Sequence, residues 1–250
     1  MIYDSKHNPA VLITGGAVRI GRATALHLAR KGWHVAIHYH QSAKEAEQCV
    51  AELQACNVKA VAIQGDLNVE ADVQNIVGKA CNALAMPLTA LVNNAAAFHK
   101  DNISTFTRES WLRHMDTNLY APLQLIAAFA KQLPENGQGA VVNLIDSCES
   151  MCISPNFLTY SLSKYGLAEA TRLLAQDLAP HIRVNGVSPG LTLPKAGEEA
   201  MFKRLVAKTP LERPVSPQEI AEAVAYLLES PVITGQILAL DSGAGLRKCF

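Results

Sequence analysis

The stretch Ala10–Gly32, AVLITGGAVRIGRATALHLARKG, decides the fold. An apolar run, AVLI, leads into Thr14, and the turn Gly15-Gly16-Ala17-Val18-Arg19-Ile20-Gly21 then opens a helical pattern. A glycine-rich turn between strand and helix is a phosphate-binding device. Gly15 permits the tight turn, and Gly21 lets the helix pack closely on the strand. Backbone N–H groups from Arg19, Ile20 and Gly21 at the helix start then face an anion. Arg19 stands where such turns ordinarily want a glycine. Gly32 after Arg30 and Lys31 marks the helix end, with cations in its last turn. Alone, the motif is short enough to be a plain β–α turn.

Outward from this unit, short apolar runs alternate with longer helical patterns. Strands are expected at Ala10–Thr14, His34–Tyr39, Val58–Gln64, Ala90–Asn93, Ala140–Asp146, Arg183–Val187 and Gln236–Leu240. Such alternation implies βαβ units and a parallel sheet buried on both faces. The fold class is therefore α/β: a single-domain, Rossmann-type, doubly wound parallel sheet of about seven strands, helices on both faces, over residues 1–250. Ser42 with Glu45, and Ser216 with Glu219, read as capping boxes. Behind the second, Ile220, Ala223, Val224, Leu227 and Leu228 form one apolar helix face. Leu191 to Pro210 is the least regular segment and reads as a mobile substrate lid.

Composition narrows the function classes. The 250 residues suit one large core, and 22 basic against 22 acidic side chains leave no net charge. That balance argues against nucleic acid or an anionic membrane as partner. The six cysteines show no CxxC or paired spacing, so neither a metal nor a disulfide framework is expected. No apolar run suits a signal peptide or membrane span, and reduced thiols fit a cytoplasmic protein.

The second unit bears on the ligand. A chain that holds NAD ordinarily carries an acid at the end of its second strand, for the ribose 2′-OH. Here that end reads HVAIHYHQS, and the first acid beyond is Glu45, already inside the next helix. His40, Gln41 and Ser42 would not repel a 2′-phosphate, and with Arg19 they favour NADP(H). His38 and His40 could equally be ordinary core or surface histidines. Asp66-Leu67 follows the third strand, where it could meet the adenine edge. Asn94-Ala95 follows the fourth, at the crevice where ligands sit in such sheets.

Tyr160 and Lys164 form a Y-x-x-x-K pair, an i, i+4 spacing that puts both on one helix face. An ammonium beside a phenol stabilises the phenolate, which makes Tyr160 a usable proton donor near neutral pH. A solvated helix face is the competing reading. The company decides. TGGAVRIG, DL, NNA, Asn118 in a long helix, Y-x-x-x-K, RVN-x-V-x-PG and TGQILALD occur in order along nearly the whole chain. Together they resemble the short-chain dehydrogenase/reductase family. The resemblance implies a homotetramer. It also implies a catalytic set of Asn118, a residue at the end of strand five, Tyr160 and Lys164. Lys164 would bond the nicotinamide ribose, Asn118 would hold a water linking Lys164 to solvent, and Pro189 and Gly190 would line the cofactor.

The strand-five residue separates branches of that family, most of which have serine there. Counting from Asn143 gives Asp146; counting back from Tyr160 gives Ser147. The strand count is preferred, because the pleat fixes a strand residue's direction while a loop absorbs an insertion. With Arg19 and HYHQS, Asp146 makes the chain similar to the pteridine reductases and the related dihydromonapterin reductases. That likeness implies a small-molecule pterin substrate against Arg19, Phe98, Asp146, Tyr160 and Leu191, with Phe98 stacking on the ring. Arg19 could face the cofactor, the pterin or both. The chain departs from the branch at Gln41, where arginine is common, and at Ala96 and Ala97, where a polar group often stands. The expected reaction is NADPH-dependent reduction of a dihydropterin, with Tyr160 and Asp146 delivering the proton. Reduction of a 3-oxoacyl thioester, sugar or steroid carbonyl is the alternative, and an NADP(H)-binding regulator a further one. The C-terminal tail, including Arg247, is expected to reach a neighbouring subunit's site.

Overall fold

The computed structural model describes residues 9–146, 155–194 and 197–246. Ser147 and Arg247 lie outside the described residues. Strands β1 (Ala10–Ile13), β2 (His34–Tyr39), β3 (Ala60–Gln64), β4 (Ala90–Asn93), β5 (Gly139–Leu144), β6 (Ile182–Pro189) and β7 (Ile237–Leu240) form one sheet. All pairings are parallel, in the order β3-β2-β1-β4-β5-β6-β7. The expected strand set is present. β5 stops two residues short of Asp146, which lies just past the last paired residue rather than within the strand.

Side chains alternate across the pleat, so each strand feeds two cores. On one face Val11, Ile13, Val35 and Val92 pack under helices α1 (Arg19–Arg30), α2 (Ala43–Gln54) and α8 (Pro217–Glu229), with Trp33, Leu53 and Val224 fully covered. On the other, Leu12, Leu91 and Val141 pack under α3 (Glu70–Leu84), α5 (Ala121–Gln132) and α6 (Leu158–Asp177), with Ile76, Leu125 and Phe129. Strand order reverses about β1, whose neighbours are β2 and β4. The crevice above that reversal is where doubly wound sheets bind ligands.

Three local readings hold and three change. Gly32 adopts φ +89° and its N–H closes on Ala29 O at 2.9 Å, ending α1. Ser216 caps α8 with a reciprocal bond from Glu219, and Pro217 opens the helix. Ile220, Ala223, Val224, Leu227 and Leu228 are all buried. Ser42 starts α2 but makes no capping bond, because its ψ of 56° turns the hydroxyl away from the extended geometry a cap needs. The long helix around Asn118 is three pieces: α4 (Arg108–Met115), a π-helical turn (Asp116–Tyr120) and α5. Pro122 has no N–H for the carbonyl four residues back, that of Asn118, so the regular ladder cannot run through. Within Leu191–Pro210, Glu199–Val206 forms helix α7, where Phe202 and Val206 lie four apart on one side.

Candidate active site

The turn after β1 is built for close approach. Gly15 has φ +61°, and a Cβ there would sit 3.1 Å from the Ala95 backbone. A Cβ on Gly21 would lie 2.1 Å from the Gly15 carbonyl, so only glycine fits. Thr14 Oγ1 accepts the amides of Asn94 and Ala95 at 2.9 and 3.0 Å, tying the turn to the end of β4. Asn94 donates its side-chain amide to the Thr14 and Gly15 carbonyls, at 2.8 and 3.1 Å. Asn94 therefore shapes the crevice by bracing the turn. Val18, the residue before α1, offers no side-chain cap, and the first turn holds no acid. The α1 N-terminus is thus left to an anion, and it fits the diphosphate of a dinucleotide.

Arg19 has φ +51°, the left-handed conformation that favours glycine. A residue held there costs of order 1–3 kcal/mol unless its surroundings compensate. Its guanidinium donates to the Leu193 carbonyl at 3.4 Å. Arg19 thus spans from the phosphate turn to the segment after β6, where Leu191 accepts the Val215 amide at 2.9 Å. Pro189 ends β6, and Gly190 closes on Asp241, where a Cβ would fall 2.7 Å from the Asp241 backbone.

The two histidines of HYH part ways. His38 is buried: Nδ1 accepts the Gly15 amide at 3.4 Å, and Nε2–H donates to Gly65 O at 3.0 Å. Burial pushes it down to about 4, so it is a neutral core brace under the turn. His40 is half exposed and lies 3.5 Å from Asp66. Asp66 is pushed up by burial but held low overall, because the Asn68 backbone and side-chain amides both donate to it. Gln41 is exposed and Ser42 is half-buried with its hydroxyl uncommitted to a cap, while Leu67 is buried beneath. The three polar residues after β2 thus stand together at one end of the crevice.

At the other end, the Tyr160 hydroxyl donates to Asp146 Oδ2 in a short hydrogen bond. Lys164, almost wholly buried, donates to the Leu144 carbonyl at 2.7 Å, so the end of β5 positions both members of the pair. Asn118 faces them across α6 with a fully used side chain. Its Oδ1 accepts the Ala97 amide at 2.8 Å, and its Nδ2 donates to Ala97 O and Ser163 Oγ, both at 3.0 Å. Both donors are taken, so the Asn118 side chain clamps the loop after β4 onto α6. The Phe98 ring stacks on Phe157, centroids 4.7 Å apart and planes 6° apart, and meets Tyr160 edge-on at 4.6 Å. At 39% exposure it still offers surface to a planar ligand.

A family profile described as enoyl-(acyl carrier protein) reductase matches residues 16–245. The chain is a short-chain dehydrogenase/reductase. It belongs with oxidoreductases. The FolM alternative dihydrofolate reductase 1 of Brucella canis, solved with NADP, is 40% identical over 97% of this chain and 96% of that one, with a TM-score of 0.90. A granaticin polyketide synthase putative ketoacyl reductase 2 from Streptomyces violaceoruber is 32% identical over 98% of this chain and 100% of its own. A 3-oxoacyl-[acyl-carrier-protein] reductase from Synechocystis is 30% identical over 93% of this chain and 95% of its own.

Within this short-chain dehydrogenase/reductase, tertiary structure adds residues that no short motif marks. Phe157 backs Phe98, Ser163 anchors Asn118, and a buried His114 lies edge-on to Tyr160 with centroids 6.0 Å apart. Phe157 is the one with a sequence signal, an aromatic just before the Tyr160 helix. No helix among the described residues is long and apolar enough to cross a membrane.

Proposed function

We propose that this short-chain dehydrogenase/reductase uses NADPH to reduce a dihydropterin to a tetrahydropterin. The observation that carries this is the carboxylate of Asp146 on the Tyr160 hydroxyl, in place of a neutral serine. Ketone reduction builds up an alkoxide, which a carboxylate at that point opposes. Reduction of a ring C=N instead needs a proton on a basic nitrogen, which a tyrosine resupplied through a carboxyl group delivers. The half-exposed face of Phe98 suits a flat ring. The likeness to an alternative dihydrofolate reductase supports the same reading.

NADPH, when bound, would supply the hydride that a dihydropterin takes up at ring carbon C6. Residues Gly15, Arg19, Ile20 and Gly21 would hold its phosphates, and His40, Gln41 and Ser42 its 2′-phosphate. Asp66, Leu67, Asn94, Ala95, Pro189 and Gly190 would line the rest. Lys164 would orient the nicotinamide ribose. Tyr160 gives its hydroxyl proton to N5, and Asp146 passes a proton from water back to the phenolate. Leu191 and the residues to Pro210 serve as the lid over the substrate, latched at Leu193 by Arg19.

The names of the curated relatives favour a second reading, reduction of a 3-oxoacyl thioester. A panel of dihydrobiopterin, dihydromonapterin, dihydrofolate and acetoacetyl-CoA, followed by NADPH oxidation, separates the two. Turnover of a dihydropterin supports the proposal; turnover of the thioester alone overturns it. The cytoplasmic homotetramer belongs to the same proposal and is checked by light scattering.

A further inference from the structure

We propose that Asp101, Thr159 and His114 form a buried clamp that positions Tyr160 and Phe157 for catalysis without touching cofactor or substrate. All three side chains are at most 4% exposed. Asp101 lies in the loop after β4, and its backbone is stitched to the start of α6. Its N–H donates to Asn156 O at 3.0 Å, and its carbonyl accepts the Leu158 amide at 3.1 Å. Its carboxylate then caps the helix: Oδ1 accepts the Thr159 amide at 3.0 Å, and Oδ2 takes the Thr159 hydroxyl proton in a short bond. An anion at a helix N-terminus is favoured by both the free amides and the dipole. Those bonds outweigh burial, and Asp101 is held below the usual carboxylate range.

Thr159 hands the connection on. Its Oγ1 lies 2.6 Å from His114 Nδ1, and the His99 amide donates to His114 Nε2 at 3.2 Å. With Nε2 accepting, Nδ1 carries the proton and donates to Thr159. The polarity of the chain is therefore set: His114 donates to Thr159, and Thr159 donates to Asp101. It joins the loop after β4, helix α4 and helix α6 through groups distant in sequence. The residues it pins are 156 to 159, so it fixes Phe157, which backs Phe98, and delivers Tyr160 one residue on. The ring of His114 also walls the phenol. Sites held by supporting bonds of this kind lose rate when the support loosens, because an error of about 1 Å costs on the order of 10²-fold.

This inference rests on Tyr160 being the proton donor, and not on which substrate is reduced. The test uses whichever substrate of the panel the parent enzyme turns over. Thr159→Val keeps the shape but breaks both side-chain links. It should lower kcat by about tenfold or more while the KM for NADPH stays within about twofold. Thr159→Ser, which keeps the hydroxyl, should restore kcat to within about threefold of the parent. Equal kcat in parent and Thr159→Val, or a loss that Thr159→Ser does not restore, overturns the clamp. If Thr159→Val does not fold, Asp101→Asn serves instead. It keeps an acceptor for the helix amide but cannot take the Thr159 proton, and unchanged kcat there is equally fatal. Nitrogen-15 spectra of the histidine rings give a readout free of turnover. The parent should show His114 protonated at Nδ1, and a parent spectrum with the proton on Nε2 refutes the network even if the panel finds no substrate.

Discussion

Replacing Gly21 with alanine should separate a steric demand from a helix preference. Gly21 lies in the first turn of α1, where Gly→Ala ordinarily stabilises a helix by about 1 kcal/mol. Here the added Cβ would fall 2.1 Å from the Gly15 carbonyl oxygen and 2.6 Å from the Asn94 side-chain amide. Real Cβ contacts stay beyond about 3 Å, so the Gly15 carbonyl must retreat by roughly 0.9 Å. Asn94 holds that carbonyl at 3.1 Å and His38 holds the Gly15 amide at 3.4 Å, so the retreat breaks the brace on both sides. A displacement of about 1 Å in a ligand-positioning element costs on the order of 10²-fold, or about 2.7 kcal/mol. We therefore expect Gly21→Ala to weaken NADPH binding about a hundredfold by fluorescence titration and to lower Tm despite the better helix former. A Kd within about threefold of the parent together with a raised Tm would refute the reasoning, since it would show the turn yielding freely.

Tyr160→Phe should lower kcat by about 10²–10⁴-fold with NADPH binding nearly intact; persistent turnover would remove the acid assignment. His40→Asp sets a carboxylate beside Asp66 where a 2′-phosphate is expected, and should raise the KM for NADPH about tenfold, near 1.4 kcal/mol, while leaving NADH almost unaffected. Equal changes for both cofactors would move the phosphate site elsewhere. His38, ordinarily near 6.5, is pushed down to about 4 by burial, so the unfolded chain binds the extra proton first. Its contribution is complete above about 6.5 and drains away as pH falls towards 4, a loss of about 3 kcal/mol. Urea melts across that window should show the parent losing more stability than His38→Gln; parallel curves would contradict the buried neutral brace.

Much of this protein is written locally. The seven strands, the tight turn at Gly15, the Ser216 cap and the Tyr160–Lys164 spacing depend on neighbours within a few residues. Alternation, chirality and i, i+4 geometry follow from the chain itself. Asp146 was legible as the residue just past β5, and the Tyr160–Lys164 spacing as one helix face, whereas the bond between Asp146 and Tyr160 is set where strand end and helix meet. What tertiary structure alone decided is the company those residues keep. Ser42 reads as a cap but its ψ is set by the turn out of β2. Arg19 reads as a cation near phosphates, yet its reach to Leu193 spans 174 residues of sequence. Asn118 is committed to Ala97 and Ser163 because Pro122 interrupts its helix and α6 packs beside it. The Asp101–Thr159–His114 clamp joins positions 45 and 58 residues apart. No local pattern encodes such contacts. They exist only because a parallel sheet brings the ends of distant strands to one edge, where loops that share no sequence neighbourhood must satisfy each other's buried polar groups.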